Sequence, residues 1–250
     1  MKALLVMILA SLVTVSAWAE DLIVAAASSL TDVMKAVEPL YTREHPGVKL
    51  TFVLGSTGML RAQLQRGAPG DVFIGAERWF GGTATNVEEV VMVNSIRIVA
   101  VNTLVAVAGK GTHPKGDGLA AWLDGARKIG LGNPASVPAG RYTKALLESE
   151  SLWEANTPKF VQGTNVREVL LWLQQGVVEV GFVYGSDLVA DKGNGLKVLA
   201  KYDTPGGTAI ELAGGVTKGT KNPAGAQAFL DYLKSQEAVS VLKAYGFMVP

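Results

Sequence analysis

The groups in this chain that could do chemistry are hydroxyls set in small-residue turns, each following an apolar run and opening a helix-type segment. Ala27-Ser28-Ser29-Leu30-Thr31-Asp32 follows Leu22–Ala25, and Gly55-Ser56-Thr57-Gly58 follows Val48–Val53. Val137-Pro138-Ala139-Gly140 comes after Lys128–Leu131, and Gly163-Thr164-Asn165-Val166-Arg167-Glu168 is a fourth such turn. Ser29 with Asp32, and Asn165 with Glu168, have the spacing of a capping box, and Pro138 suits a first helical position. A helix-opening turn presents N–H groups without intrahelical partners at the positive end of the helix dipole, which is a site for an anion. The hydroxyls of Ser29 and Thr57 add donors, as does that of Tyr184 at the end of Val178–Val183. Neutral dipoles of this kind can hold a dianion without a mobile lysine or arginine against it. Taken singly, a Ser or Thr before a helix is more often only a cap, and a strand-end tyrosine more often a packing residue. Arg141 and Arg167 stand just after two of the turns, open either to direct pairing with the anion or to solvation on a helix surface.

Other chemistries find little support. The two histidines, His45 and His113, each precede a proline in a polar stretch, so a Ser-His-Asp hydrolase lacks its base. A phosphate loop of the Walker type is absent from the sequence. Gly130-Leu131-Gly132-Asn133-Pro134-Ala135 has the glycine spacing of a dinucleotide turn, but Pro134 and Pro138 interrupt the helix that turn requires. The Glu88-Glu89 pair reads as a solvated face.

The elements that must position these turns follow from periodicity. Besides the runs already named, Val72–Ile74, Ile96–Val101 and Leu104–Val107 read as strands, with neighbouring strands near 98–108 and 208–216 as natural crossings between two halves. Leu30, Val33, Met34, Val37, Leu40 and Tyr41 fall on one helical face, ended by His45-Pro46-Gly47. Further helices are expected over Met59–Gln65, Gly140–Glu148, Val166–Gln175 closed by Gly176, and a last one from Ala224 to Ala244. Strands alternating with helices predict an α/β fold with largely parallel sheets. Two lobes are expected: residues 20–103 with 208–250 form a discontinuous first lobe, and 104–207 the second.

The N-terminus reads as an export address: Lys2, an apolar run Ala3–Val15, then Ala17-Trp18-Ala19, with Glu20 as the first mature residue. Residues 1–19 are therefore read as a cleaved signal peptide, a retained membrane anchor being the weaker reading because the run is too short to span a bilayer. With no cysteine, an exported chain has neither a disulfide nor a thiol to lipidate, and its stability rests on an ordinary core. Of 23 basic residues, Lys2 lies in the leader, which leaves 22 basic against 22 acidic. That balance argues against nucleic acid or an anionic membrane as partner.

At the same turns the chain strongly resembles the periplasmic molybdate-binding proteins of ABC-type molybdate uptake systems. The similarity extends over essentially the whole mature chain. It is carried by Ala26-Ala27-Ser28-Ser29-Leu30-Thr31, Gly67-Ala68-Pro69-Gly70-Asp71-Val72-Phe73, Val137-Pro138-Ala139-Gly140-Arg141-Tyr142, Val166-Arg167, Val183-Tyr184-Gly185-Ser186-Asp187 and Tyr245-Gly246-Phe247. The resemblance implies a two-lobed periplasmic binding-protein fold of type II with two crossing hinge strands. Molybdate, with tungstate beside it, would be held between the lobes by Ser29, Thr57, the backbone at Ala139 and Val166, and Tyr184. Ser28 and Ser56 are additional candidates. Thr57 stands where relatives often carry serine, so either it or Ser56 could be the donor, and Ser28 replaces a common alanine. No cofactor and no direct cation ligand is expected, since molybdenum would arrive as its oxyanion. The expected partners are that oxyanion and a membrane permease, and the expected state is a monomeric, non-enzymatic periplasmic protein. Its rivals are a receptor for sulfate, phosphate or a small organic acid, and an exported hydrolase using Ser29 or Thr57 as nucleophile.

Overall fold

The computed structural model describes residues 20–76, 87–190 and 195–250, so the signal segment expected at 1–19 lies outside the described residues. Among these described residues, ten strands form two five-stranded sheets. In the first, the order is β2 (Val48–Gly55), β1 (Glu20–Ala27), β3 (Val72–Gly75), β10 (Ile210–Val216), β4 (Arg97–Asn102). In the second it is β7 (Phe160–Gly163), β6 (Ile129–Gly132), β8 (Val180–Tyr184), β5 (Leu104–Ala108), β9 (Lys197–Tyr202). Each sheet with its helices makes one lobe of a two-lobed α/β architecture.

Each sheet is half parallel and half antiparallel, which corrects the expectation of largely parallel sheets. β1 runs parallel to β2 and β3, and β6 to β7 and β8, whereas β10 and β5 pair antiparallel with both their neighbours. The cause is the crossing: β5 and β10 are the strands on which the chain enters the other sheet, and a strand arriving from the opposite lobe runs against the βα units already there. Thr103 alone separates β4 from β5, and residues 203–209 lead from β9 back to β10. Around the first crossing, Gly185 N–H donates to the Thr103 carbonyl (2.9 Å), and Asn102 Nδ2 donates to Ser186 Oγ (2.8 Å).

Helices α1 (Thr31–Glu44), α2 (Thr57–Gln65), α3 (Leu119–Asp124), α4 (Pro138–Ser149), α5 (Trp153–Asn156), α6 (Val166–Gln175) and α7 (Gly185–Ala190) follow in chain order. The apolar face predicted for α1 is the buried one: Val33, Met34, Val37 and Tyr41 lie in the core. Gly176, with φ of 67°, closes α6 in the left-handed conformation as expected. The single C-terminal helix expected over 224–244 is instead two, α8 (Pro223–Tyr232) and α9 (Gln236–Ala244). Ser235 makes the break, because its hydroxyl accepts the Ala238 N–H at 3.2 Å and starts a new helix in place of continuing the old one.

Candidate functional site

The strand register sets the turns side by side. Ala27 pairs with Gly55 across β1 and β2, so the 3-10 turn Ser28–Leu30 and the start of α2 are neighbours at one carboxyl edge of the first sheet. In the second sheet Gly132 pairs with Gly163, so the turns that open α4 and α6 are likewise neighbours, and β8, parallel to β6, ends beside them at Tyr184. Carboxyl ends of parallel strands are where an α/β sheet leaves a crevice for ligands. Here two such edges face each other. Gly58 N–H of α2 donates to the Ser136 carbonyl before α4 (3.1 Å), and Arg167 of α6 pairs with Asp32 of α1 (2.7 Å). Ser29, Thr57, Ala139, Val166 and Tyr184 are all buried, distributed over the two sides of this closed interface.

Each turn offers specific donors. Ser29 does not cap a helix, contrary to the capping-box reading: α1 begins at Thr31 after the 3-10 turn, with no side-chain cap, and Asp32 turns to Arg167. Helical backbone at Ser29 directs its Oγ inward, where it is buried (3% residue exposure) and has no hydrogen-bond partner within the protein. Leaving a buried hydroxyl unsatisfied costs about 1–3 kcal/mol, so a ligand oxygen here would relieve a standing penalty. In the next turn Ser56 is the helix cap, its Oγ accepting the Met59 N–H at 3.4 Å, whereas Thr57 Oγ1 accepts the Ala76 N–H at 3.0 Å. Thr57 therefore keeps its own proton to donate. Ser28 is buried next to Ser29, with its carbonyl bonded by Thr31 Oγ1 at 2.7 Å.

The second lobe supplies backbone. In the first turn of α4, Pro138 has no N–H and Gly140 N–H turns back to the Val137 carbonyl, which leaves Ala139 N–H as the orphan donor. At α6 the expected capping pair forms: Asn165 Oδ1 accepts Glu168 N–H (3.1 Å) and Glu168 Oε2 accepts Thr164 N–H (2.7 Å). Val166 N–H lies in the uncovered first turn between them.

Neither arginine is simply a solvated helix residue. Arg141 donates to the Pro134 carbonyl at 3.2 Å, within its own loop. Arg167 contacts two carboxylates, Asp32 Oδ2 across the cleft at 2.7 Å and Asp187 Oδ1 in its own lobe at 2.8 Å. The second contact is too oblique for a hydrogen bond and acts as an ion pair. Asp187 is fully buried, and its other oxygen accepts the Tyr184 N–H at 2.9 Å, which fixes the end of β8. Burial pushes the Asp187 carboxyl up to about 6, against the downward pull of Arg167 and the Tyr184 N–H and with a small upward push from Asp32. Sequence reasoning reads Asp32 only as a capping partner, and it misses the buried Asp187 anchor and the Gly58–Ser136 contact. Only the Tyr-Gly-Ser-Asp run pointed toward Asp187, and nothing in it signals a buried acid.

Residues 22–248 match the family of bacterial extracellular solute-binding proteins. The chain belongs to that family. Among curated relatives of this solute-binding protein, the molybdate-binding protein ModA of Escherichia coli is 33% identical over 90% of this chain and 87% of its own length. ModA of Azotobacter vinelandii is 30% identical, over 99% of this chain and 97% of its own. The solved periplasmic molybdate-binding protein of Azotobacter vinelandii has the same fold, with a TM-score of 0.77 at 21% identity over 92% of this chain and 99% of that one.

Proposed function

We propose that this solute-binding protein captures molybdate, with tungstate as an equivalent ligand, between its lobes and hands it to the permease of an ABC transporter. The observation that carries this reading is the buried, unpartnered Ser29 hydroxyl at an interface where helix-opening turns of both lobes meet. Ser29 and Thr57 donate from the first lobe; Ala139 N–H, Val166 N–H and the Tyr184 hydroxyl donate from the second. The relatives named molybdate-binding, which match nearly the full length of the chain, support the choice of oxyanion.

Capture proceeds by closure about the two crossings, placed at 103/104 and 207/208. The open form offers each lobe's donors to water, and the dianion stabilises the closed form because only there does it meet both sets. Hydrogen bonds to a charged acceptor are about twice as strong as neutral ones, so a cage of uncharged donors suffices for a doubly negative ion. A smaller oxyanion such as sulfate leaves some donors short, and that deficit supplies selectivity. The cycle needs no catalysis and no cofactor. Export through a leader at 1–19 delivers a monomer to the periplasm.

Calorimetry on the exported chain with molybdate, tungstate, sulfate and phosphate tests the reading. Tight binding of the first two and weak binding of the others is expected. Sulfate binding of comparable strength would remove the selectivity claim, and heat from none of the four would remove the function.

A further inference from the structure

Among the described residues, Arg167 makes a charged contact across the closed interface, and it does not belong to the donor set. Arg167 follows directly on Val166, yet its guanidinium is committed to carboxylates on both sides of the cleft. Asp187, in the second lobe, lies 2.8 Å from Arg167 Nε, and Asp32, in the first, lies 2.7 Å from its terminal nitrogen. The Asp187 side chain is inaccessible, while Arg167 and Asp32 retain 25% and 32% exposure. The arrangement is therefore asymmetric: a buried anchor in one lobe orients the arginine, and a half-buried acid in the other can engage or release it. The Asp187 anchor also carries the Tyr184 N–H, which couples the arginine's seat to a residue of the proposed donor set.

We propose that Arg167 is a positioning residue of capture, a latch that is seated on Asp187 and closes on Asp32. The inference rests on the oxyanion-capture reading and adds a residue that acts through the two aspartates. Its consequence is kinetic. The Arg167–Asp32 contact spans the lobes, so opening must break it, and it resists release more than it assists encounter. It also neutralises an acid that stands three residues from Ser29, where a bare carboxylate would repel a dianion.

Asp32→Asn separates the latch from simple electrostatics, because the two predict opposite signs. Removing a negative charge near the site should strengthen binding of a dianion by Coulomb attraction alone. Loss of a latch should weaken it. With molybdate as probe, stopped-flow tryptophan fluorescence on the exported chain should show a dissociation rate raised roughly 3- to 10-fold, the range of a partly screened ion pair, with the association rate within about twofold. The melting temperature without ligand should change little, because the ligand-free protein makes the contact only while it is transiently closed. Arg167→Gln leaves buried Asp187 unpaired and risks instability. The double variant Asp32→Asn with Arg167→Gln provides the check, since its dissociation rate should match that of Arg167→Gln alone.

An unchanged or slower dissociation rate in Asp32→Asn would overturn the latch, as would additive effects in the double variant. A fall in ligand-free melting temperature that accounts for the affinity loss would assign Asp32 a structural role and overturn it too. Should wild-type protein fail to bind molybdate, the functional reading falls. Small-angle scattering without ligand then decides the latch, which requires Asp32→Asn to be the more expanded protein.

Discussion

Gly58→Ala is the perturbation that most sharply separates closure from folding. Gly58 sits in the first turn of α2 with ordinary helical backbone, and its N–H reaches the Ser136 carbonyl of the other lobe at 3.1 Å. A methyl group there would lie 2.6 Å from the Ser136 carbonyl oxygen, 3.1 Å from its Cα and 3.2 Å from its carbonyl carbon. All three are backbone atoms, so no side chain can swing aside. Reaching an ordinary 3.4 Å contact requires the turns to part by about 0.8 Å, which pulls the interlobe hydrogen bond beyond its range. The lost bond is worth about 1 kcal/mol and the overpacking about 1–3 kcal/mol, so the closed form should suffer by about 2–4 kcal/mol. Affinity would fall roughly 30- to 700-fold. In the open form the same substitution replaces a helical glycine with the best helix former, for a gain of up to about 1 kcal/mol. Calorimetry with molybdate and thermal melts without ligand read the two effects separately. A dissociation constant within about threefold of wild type would refute the reasoning, because the lobes would then not approach at Gly58 when ligand binds.

Other substitutions probe the donors and their anchor. Ser29→Ala should cost about 1.5–3 kcal/mol of binding, roughly 10- to 150-fold by calorimetry, while leaving the ligand-free melt unchanged; wild-type affinity would remove Ser29 from the site. Tyr184→Phe should weaken molybdate binding by about 1–3 kcal/mol, and an unaltered constant would show its hydroxyl to be a packing group. Asp187 should make stability depend on pH. Its carboxyl is held at about 6 in the folded protein against an ordinary 3.8, so the folded state binds this proton more tightly than the unfolded chain does. The stabilising contribution is complete below the ordinary value and disappears as pH rises through about 6. Urea titrations should therefore find wild type gaining on Asp187→Asn between pH 7 and pH 4, and a constant gap between the two would reject the assignment.

The turns were legible in the sequence because each is a local event. Asn165, Glu168 and Gly176 mark α6 at both ends within a dozen residues, and the α1 stripe needs only helical periodicity. The edge strands of the second sheet are less legible, although β2 and β4, the edges of the first, are plain in the sequence. β7 and β9 are the two edges of the second sheet, and both went unread. Partial exposure along β9, with Lys197 and Lys201 among its residues, leaves only the short apolar run Val198–Ala200 between charged residues. The division of labour within Ser56-Thr57 was also invisible, since it depends on the Ala76 N–H reaching Thr57 from β3. Asp32 and Arg167 lie 135 residues apart, and no local pattern can announce such a pair. The capping geometry that the Ser29–Asp32 spacing predicts does not form. The inward Ser29 hydroxyl is a consequence of the 3-10 turn, which only tertiary packing selects.

The place of β10 bears on how such a chain is made. This strand lies between β3 and β4, and β4 has no other strand beside it, so nothing in the first hundred residues can complete the sheet to which they belong. A ribosome must deliver residue 216 before β4 can be joined to β3 in one sheet, whereas the strands of the other sheet all emerge in one uninterrupted stretch. The nascent protein thus stays incompletely folded until synthesis is nearly over, which suits a polypeptide threaded through a narrow translocation channel as a loose string.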